Sequence, residues 1–153
     1  MVPLAGRLLL AAARAAVGPL ALAAFFSDWT EGAGVLAGHA FSGFDLVAFT
    51  GRLGALDLTP WESALVWGLR LGVLGVAIAA AWQIVLVFGL RRHPAYAASG
   101  WYIALVAVLV VSVSVARDGF TPPRGGLLLA FAGATFVVSS RGAAPAETVP
   151  TPR

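Results

Sequence analysis

A chain of 153 residues with 59% hydrophobic residues, 11% charged residues and a mean hydropathy of +0.89 is unlike a soluble domain, in which about 25% of residues are charged. Its formal charge of +3 rests on ten Arg and no Lys, scattered with only Arg91 and Arg92 adjacent. That excludes the basic face a nucleic-acid backbone requires and makes orientation in a membrane the better account of the arginines. The lack of Cys excludes disulfides, thiolate metal sites and Cys nucleophiles, and with them the four-helix membrane thiol oxidoreductases.

A helix needs about 20 apolar residues to cross a hydrocarbon core of about 30 Å, and four stretches approach that length. The first is residues 8–26. Arg7 before the run, Pro19 within it and the Ala-Leu-Ala of residues 21–23 would also suit a cleaved signal peptide, but Arg14 interrupts the apolar region and favours a retained helix. Arg14 lies about 9 Å of helix from the inner end of the span and shares a face with Arg7, so snorkelling to the interface competes with a buried pair or ligand contact.

The outer loop, 27–60, is too long for a turn and too apolar for a plain linker. In Ser-Gly-Phe-Asp-Leu (42–46), Ser42 and Asp45 have the spacing of a capping box with Asp in place of Glu or Gln. Leu46, Phe49, Leu53 and Leu56 then recur at steps of three and four, which predicts a short interfacial helix despite Gly51 and Gly54. The expectation is a lid in which Phe44, Leu46, Phe49 and Leu53 pack down on the bundle or interface while Asp45 stays near water. Thr59, Pro60 and Glu62 predict the next helix start, with Trp61 as an interface anchor.

The second span, 63–90, carries Arg70 and Gln83 at depth. An intramembrane charge is a functional candidate by default, with Asp45, Asp57 or Glu62 as possible partners of Arg70 and snorkelling as the plainer alternative. Gln83 reads as an interhelical hydrogen bond. Gly68 and Gly72 form a GxxxG that Gly75 and Ala79 continue, a seam for close helix packing within the monomer or with a partner. After an inner anchor of Arg91, Arg92 and His93 come the third span, 100–116, and the short fourth, 125–140. The tail 141–153 holds three Pro and almost nothing apolar, which predicts a flexible cytoplasmic segment.

With the N-terminus inside, Arg7, Arg14, Arg91, Arg92, Arg141 and Arg153 fall on the cytoplasmic side and Arg52, Arg117 and Arg124 outside, satisfying the positive-inside rule with both termini cytoplasmic. The predicted fold class is therefore all-α: a multi-pass bundle of four transmembrane helices, residues 1–140, in the cell membrane, with a partly structured extracytoplasmic loop between helices 1 and 2. The layout of a first helix ending in aromatics, then Trp29, then SGFDL, then three helices, resembles small uncharacterised bacterial inner-membrane proteins. Those proteins show Leu-Pro-Trp and then Ser-Gly-Leu/Phe-Asp-Leu in the first outer loop, where this chain has FFSDW before SGFDL. The resemblance implies architecture and supplies no activity.

The two His, His39 and His93, lie outside the spans, so no axial ligand for an embedded haem is expected. No phosphate loop, nucleophile elbow or HExxH occurs, and the acids do not cluster. No catalytic, cofactor or metal residues are expected. The function expected is a non-enzymatic accessory or scaffolding subunit of a larger membrane assembly, in contact with the bilayer and a protein partner; the alternative is a small transporter, channel or lipid-binding protein built on Arg14, Arg70 and Gln83.

Overall fold

Where hydrocarbon replaces water, a free N–H or C=O finds no solvent partner, and an apolar chain closes its backbone hydrogen bonds within helices. The computed structural model describes residues 4–31, 37–53, 56–87, 94–118 and 123–141. In chain order these form α1 (Leu4–Phe25), β1 (Asp28–Glu31), β2 (Ala40–Ser42), α2 (Gly43–Leu53), α3 (Pro60–Val87), α4 (Pro94–Asp118) and α5 (Arg124–Arg141). Three helices, Leu4–Phe25, Pro60–Val87 and Pro94–Ala116, are long and apolar enough to cross a membrane; Arg124–Ser140 is apolar but shorter. Of the expected tail 141–153, Arg141 ends α5, and residues 142–153, like the Arg91, Arg92, His93 anchor, lie outside the described residues.

Helix starts follow the expected chemistry. Thr59 Oγ1 and the Thr59 backbone N–H both donate to Glu62 Oε2, at 2.7 and 2.9 Å, so α3 opens on a reciprocal capping box with Pro60 at its first position. Pro94 likewise begins α4, six residues before the expected start of that span. Through Pro19, α1 continues as helix with one backbone donor missing.

α1 packs against α5 and α3, and α4 packs against α5 and α3, so the four long helices close a ring in the order α1, α3, α4, α5. Its centre is apolar: Val17, Ala21, Val76, Ala80, Ile103, Leu129 and Ala132 are buried. Outside, Leu9, Leu71, Val85, Val108, Phe131 and Val138 stand more than half exposed, the reverse of a soluble surface. Close approach between helices occurs at Gly. A Cβ on Gly18 would lie 2.6 Å from Ile84 Cγ1, one on Gly133 would lie 2.9 Å from Ala104 Cα, and one on Gly100 would overlap the Phe136 ring. Small residues do this where lipid offers no hydrophobic drive to association.

The outer segment departs from the expected plain lid. β1 and β2 pair antiparallel, Asp28 with Ser42, Thr30 with Phe41 and Glu31 with Ala40. The irregularity between Asp28 and Thr30 turns the Trp29 side chain inward, where it is 4% exposed. Its Nε1–H donates to Ala24 O at 2.7 Å, a carbonyl that also accepts from the Ser27 N–H, so the last turn of α1 is capped by its own exit strand. Two glycines admit the indole: a Cβ on Gly43 at the start of α2 would lie 3.1 Å from it, and one on Gly125 at the start of α5 only 2.7 Å.

Ser42 and Asp45 form the predicted box. Ser42 Oγ–H and N–H donate to Asp45 Oδ2 at 2.6 and 3.0 Å, and the Asp45 N–H donates back to Ser42 Oγ at 3.1 Å. Asp45 is exposed, as expected. Of the residues expected to pack down on the bundle or interface, Leu46 does so on the core and Leu53 is half-buried. Gly43 and Thr50 are buried and Leu46 and Val47 pack on the core, whereas Phe44 and Phe49 remain outside it at 55% and 38% exposure. The reason is Thr50, whose hydroxyl donates to Leu46 O and Val47 O within its own helix and thereby buries as an apolar group. Phe44 lies beside Phe26, with ring centroids 6.1 Å apart, and Phe49 beside Phe41 at 6.0 Å.

The two donors from Ser42, side chain first and then backbone, hold the Asp45 carboxyl below its ordinary value of 3.8. A depressed carboxylate stabilises the fold above its unfolded pKa, and that contribution is lost as pH falls through the lower folded value. Amide exchange of α2, corrected for intrinsic rates, is therefore expected to stay slow above pH 4 and to accelerate below it. Asp45→Asn should remove that pH dependence, and Ser42→Ala should weaken the helix start by about 1 kcal/mol.

Candidate functional site: an apolar cleft beneath the hairpin

α3 and α4 touch along only part of their length. At the inner end Gln83 Nε2 donates to Tyr96 O and Ser99 Oγ, at 2.6 and 2.9 Å, and near the middle the Tyr102 hydroxyl donates to Gly72 O at 2.5 Å. The Tyr102 ring lies against Gly75, where a Cβ would come within 2.8 Å of Tyr102 Cζ. Above that point the two helices enclose a cleft of about 550 Å³, roofed by Trp29, Thr30 and Leu46 and walled by Gly68, Gly72 and Val73 on α3 and Val106, Val110 and Ser114 on α4. Leu69, Leu105 and Leu109 on its rim are more than half exposed, so it opens sideways.

The predicted glycine seam thus divides in two. Gly75 and the buried Ala79 belong to contacts within the chain. A Cβ on Gly68 would meet nothing within 4 Å, and one on Gly72 only the Tyr102 hydroxyl at 3.9 Å. The polar groups of the cleft wall are held internally: Trp29 Nε1–H by Ala24 O, Thr30 Oγ1–H by Glu31 O, Tyr102 O–H by Gly72 O and Ser114 Oγ–H by Val110 O. What the cleft offers an occupant is shape and dispersion, with no side-chain donor left to grip a polar solute.

The three polar residues expected at depth do not meet one another. Arg14 on α1 donates from Nη2 to Ser139 O at 2.6 Å, near the C-terminal end of α5, where carbonyls lack helical partners and the helix dipole attracts a cation. Gln83, 1% exposed, joins α3 to α4 as expected for an interhelical bond, and its Oε1 finds no donor among the described residues. Arg70, half-buried, lies 5.2 Å from the Trp67 ring centroid and against Gly51 of α2. None of the acids weighed as its partner holds it; Asp45 and Glu62 are engaged in their capping boxes. Among the described residues no three His, Cys, Asp or Glu come together as a metal site.

Sequence reasoning missed Trp29 and Tyr102 as builders of the cleft. Trp29 had a signal, an aromatic immediately past a span, but its inward turn depends on a strand pairing too short to show a period of two. Tyr102 sits in an ordinary apolar run, and only the facing Gly75 gives it meaning.

Arg14→Gln is expected to lower the thermal unfolding midpoint in mild detergent, with about 1.5–3 kcal/mol lost from a charge-assisted bond. Arg14→Lys should recover part of it, and Arg7→Gln, at an exposed position, should change little.

No family model, curated protein or solved structure matches this chain.

Proposed function

We propose that this chain is a non-enzymatic integral membrane protein of four transmembrane helices that acts as an accessory or scaffolding subunit, seating an apolar helix of a membrane partner in the cleft between α3 and α4. The observation that carries this reading is that Gly68 faces open space, and Gly72 only the Tyr102 hydroxyl at 3.9 Å, in an apolar cleft whose polar groups are already bonded within the chain. Small residues on an open helix face let a second helix approach closely, the main source of helix affinity in lipid.

Four spans, rather than the three that length and hydropathy identify, are supported by the ring in which α5 packs against both α1 and α4. A helix of 18 residues rises about 27 Å, and a thin or locally deformed bilayer accommodates it at modest cost. The excess of arginines at the ends of α1 and α5 remote from the hairpin supports cytoplasmic termini. A transporter or channel built on Arg14, Arg70 and Gln83 is less well supported, because Arg14 and Gln83 each hold a backbone carbonyl of a neighbouring helix.

A photoreactive residue at position 69 or 105, on the cleft rim, is expected to crosslink in cells to a transmembrane segment of another protein. Gly68→Leu, whose Cβ would enter open space, should leave the fold intact and reduce that adduct at least about tenfold, as expected when a close-packed helix contact is lost. Gly75→Leu, which clashes with Tyr102, should instead perturb folding. Adducts to lipid alone, or a partner retained by Gly68→Leu, would refute the docking role.

A further inference from the structure

Two arginines lie within the apolar spans, and they are treated differently by their surroundings. Arg14 reaches a backbone carbonyl. Arg70 has, among the described residues, no hydrogen-bond acceptor and no carboxylate partner; its contacts are the Trp67 ring and the bare backbone at Gly51. A guanidinium carries five N–H donors in a planar fork, and leaving them unmatched away from water is expensive.

Its position says where the missing acceptor comes from. The Arg70 Cα lies about 15 Å along α3 from Pro60. Helical side chains lean toward the N-terminus of their helix, here the hairpin end, which brings the guanidinium up to the level of Trp67. Val87 ends α3 about 30 Å below Trp67, one hydrocarbon thickness, so this level falls near the headgroups of the hairpin-side leaflet, which a long Arg side chain reaches. Two surfaces hold it there. The indole attracts the cation, and Gly51 lets α2 come close: a Cβ at that position would be 3.5 Å from Arg70 Cζ. Arg52, exposed, follows Gly51 on α2 and adds a second positive charge to this turn.

Below the guanidinium, Trp67, Leu71, Leu74 and Ile78 repeat at steps of four and three and are 51%, 60%, 38% and 52% exposed. They form an apolar strip down the outside of α3, about 70° around the helix from Arg70 and on the opposite side from the cleft wall. A fork of donors at headgroup depth above a strip of exposed apolar side chains matches one kind of molecule.

We propose that Arg70 binds the phosphodiester of a phospholipid in the leaflet on the hairpin side, with the acyl chains lying along Trp67, Leu71, Leu74 and Ile78. The planar fork donates two parallel hydrogen bonds to phosphate oxygens, a geometry an ammonium does not offer, and Trp67 holds the fork in place before the lipid arrives. This site is separate from the cleft, and its occupancy does not depend on a protein partner.

The full chain in mild detergent, titrated and read by native mass spectrometry, tests it with three probes: phosphatidylglycerol, diacylglycerol with the same chains, and inorganic phosphate. The wild type is expected to bind phosphatidylglycerol about tenfold more tightly than diacylglycerol, the scale of one charge-assisted hydrogen bond. Arg70→Gln should abolish that preference, Arg70→Lys should keep part of it, and millimolar inorganic phosphate should not displace the lipid. Equal binding of the two lipids, a preference that survives Arg70→Gln in a folded variant, or displacement by inorganic phosphate would overturn the assignment. A readout free of any variant is crosslinking of the wild type by phosphatidylglycerol with a photoreactive headgroup: adducts on residues 51–52 or 67–71 uphold the site, and adducts confined elsewhere refute it.

Discussion

The indole of Trp29 is the piece on which the outer half of the molecule depends. It fills the space between the last turn of α1, the first residue of α2 and the first turn of α5, and its N–H caps α1. Burying an aromatic of this size, with its one polar hydrogen bonded, makes a large contribution to holding these three elements together. Gly43 and Gly125 follow from it, because a side chain at either position would occupy the volume of the ring or its neighbouring carbonyls. The same ring roofs the cleft, so the hairpin end of the fold and the cleft rest on one side chain.

Within the spans the balance changes. The helices meet where Gly or Ala removes bulk, at Gly18 against Ala80 and Ile84, Gly133 against Ala104 and Gly100 against Phe136, and polar links are few and directed at backbone carbonyls. A carbonyl that already completes a helical bond still has a second lone pair, so Tyr102 and Gln83 can join helices without breaking them. α3 and α4 use this on their inner and middle turns and separate beyond, which leaves the glycines of the outer turns uncovered.

What was legible in the sequence is what hydropathy and local chemistry encode. The apolar runs mark the long helices to within a few residues, and Ser42 with Asp45 and Thr59 with Glu62 mark two helix starts through side chains that bond three residues away. The face of α2 was legible only in part, because Thr50 counts as polar by composition yet hides its hydroxyl on its own backbone. The hairpin was not legible either: three- and four-residue strands carry no usable periodicity, and their pairing is set by where Trp29 must go. Gly68 to Ala79 read as one seam, although its two halves serve different ends; only the position of Tyr102, 30 residues from Gly72, separates them.

The bond from Arg14 to Ser139 joins the first long helix to the last across 125 residues. Synthesis yields α1 well before α5 exists, so through most of it Arg14 lacks the carbonyl that holds it in the finished chain. Arrival of α5 supplies the acceptor and completes the ring. The charge on the first helix is thus matched within the fold only by the last helix made.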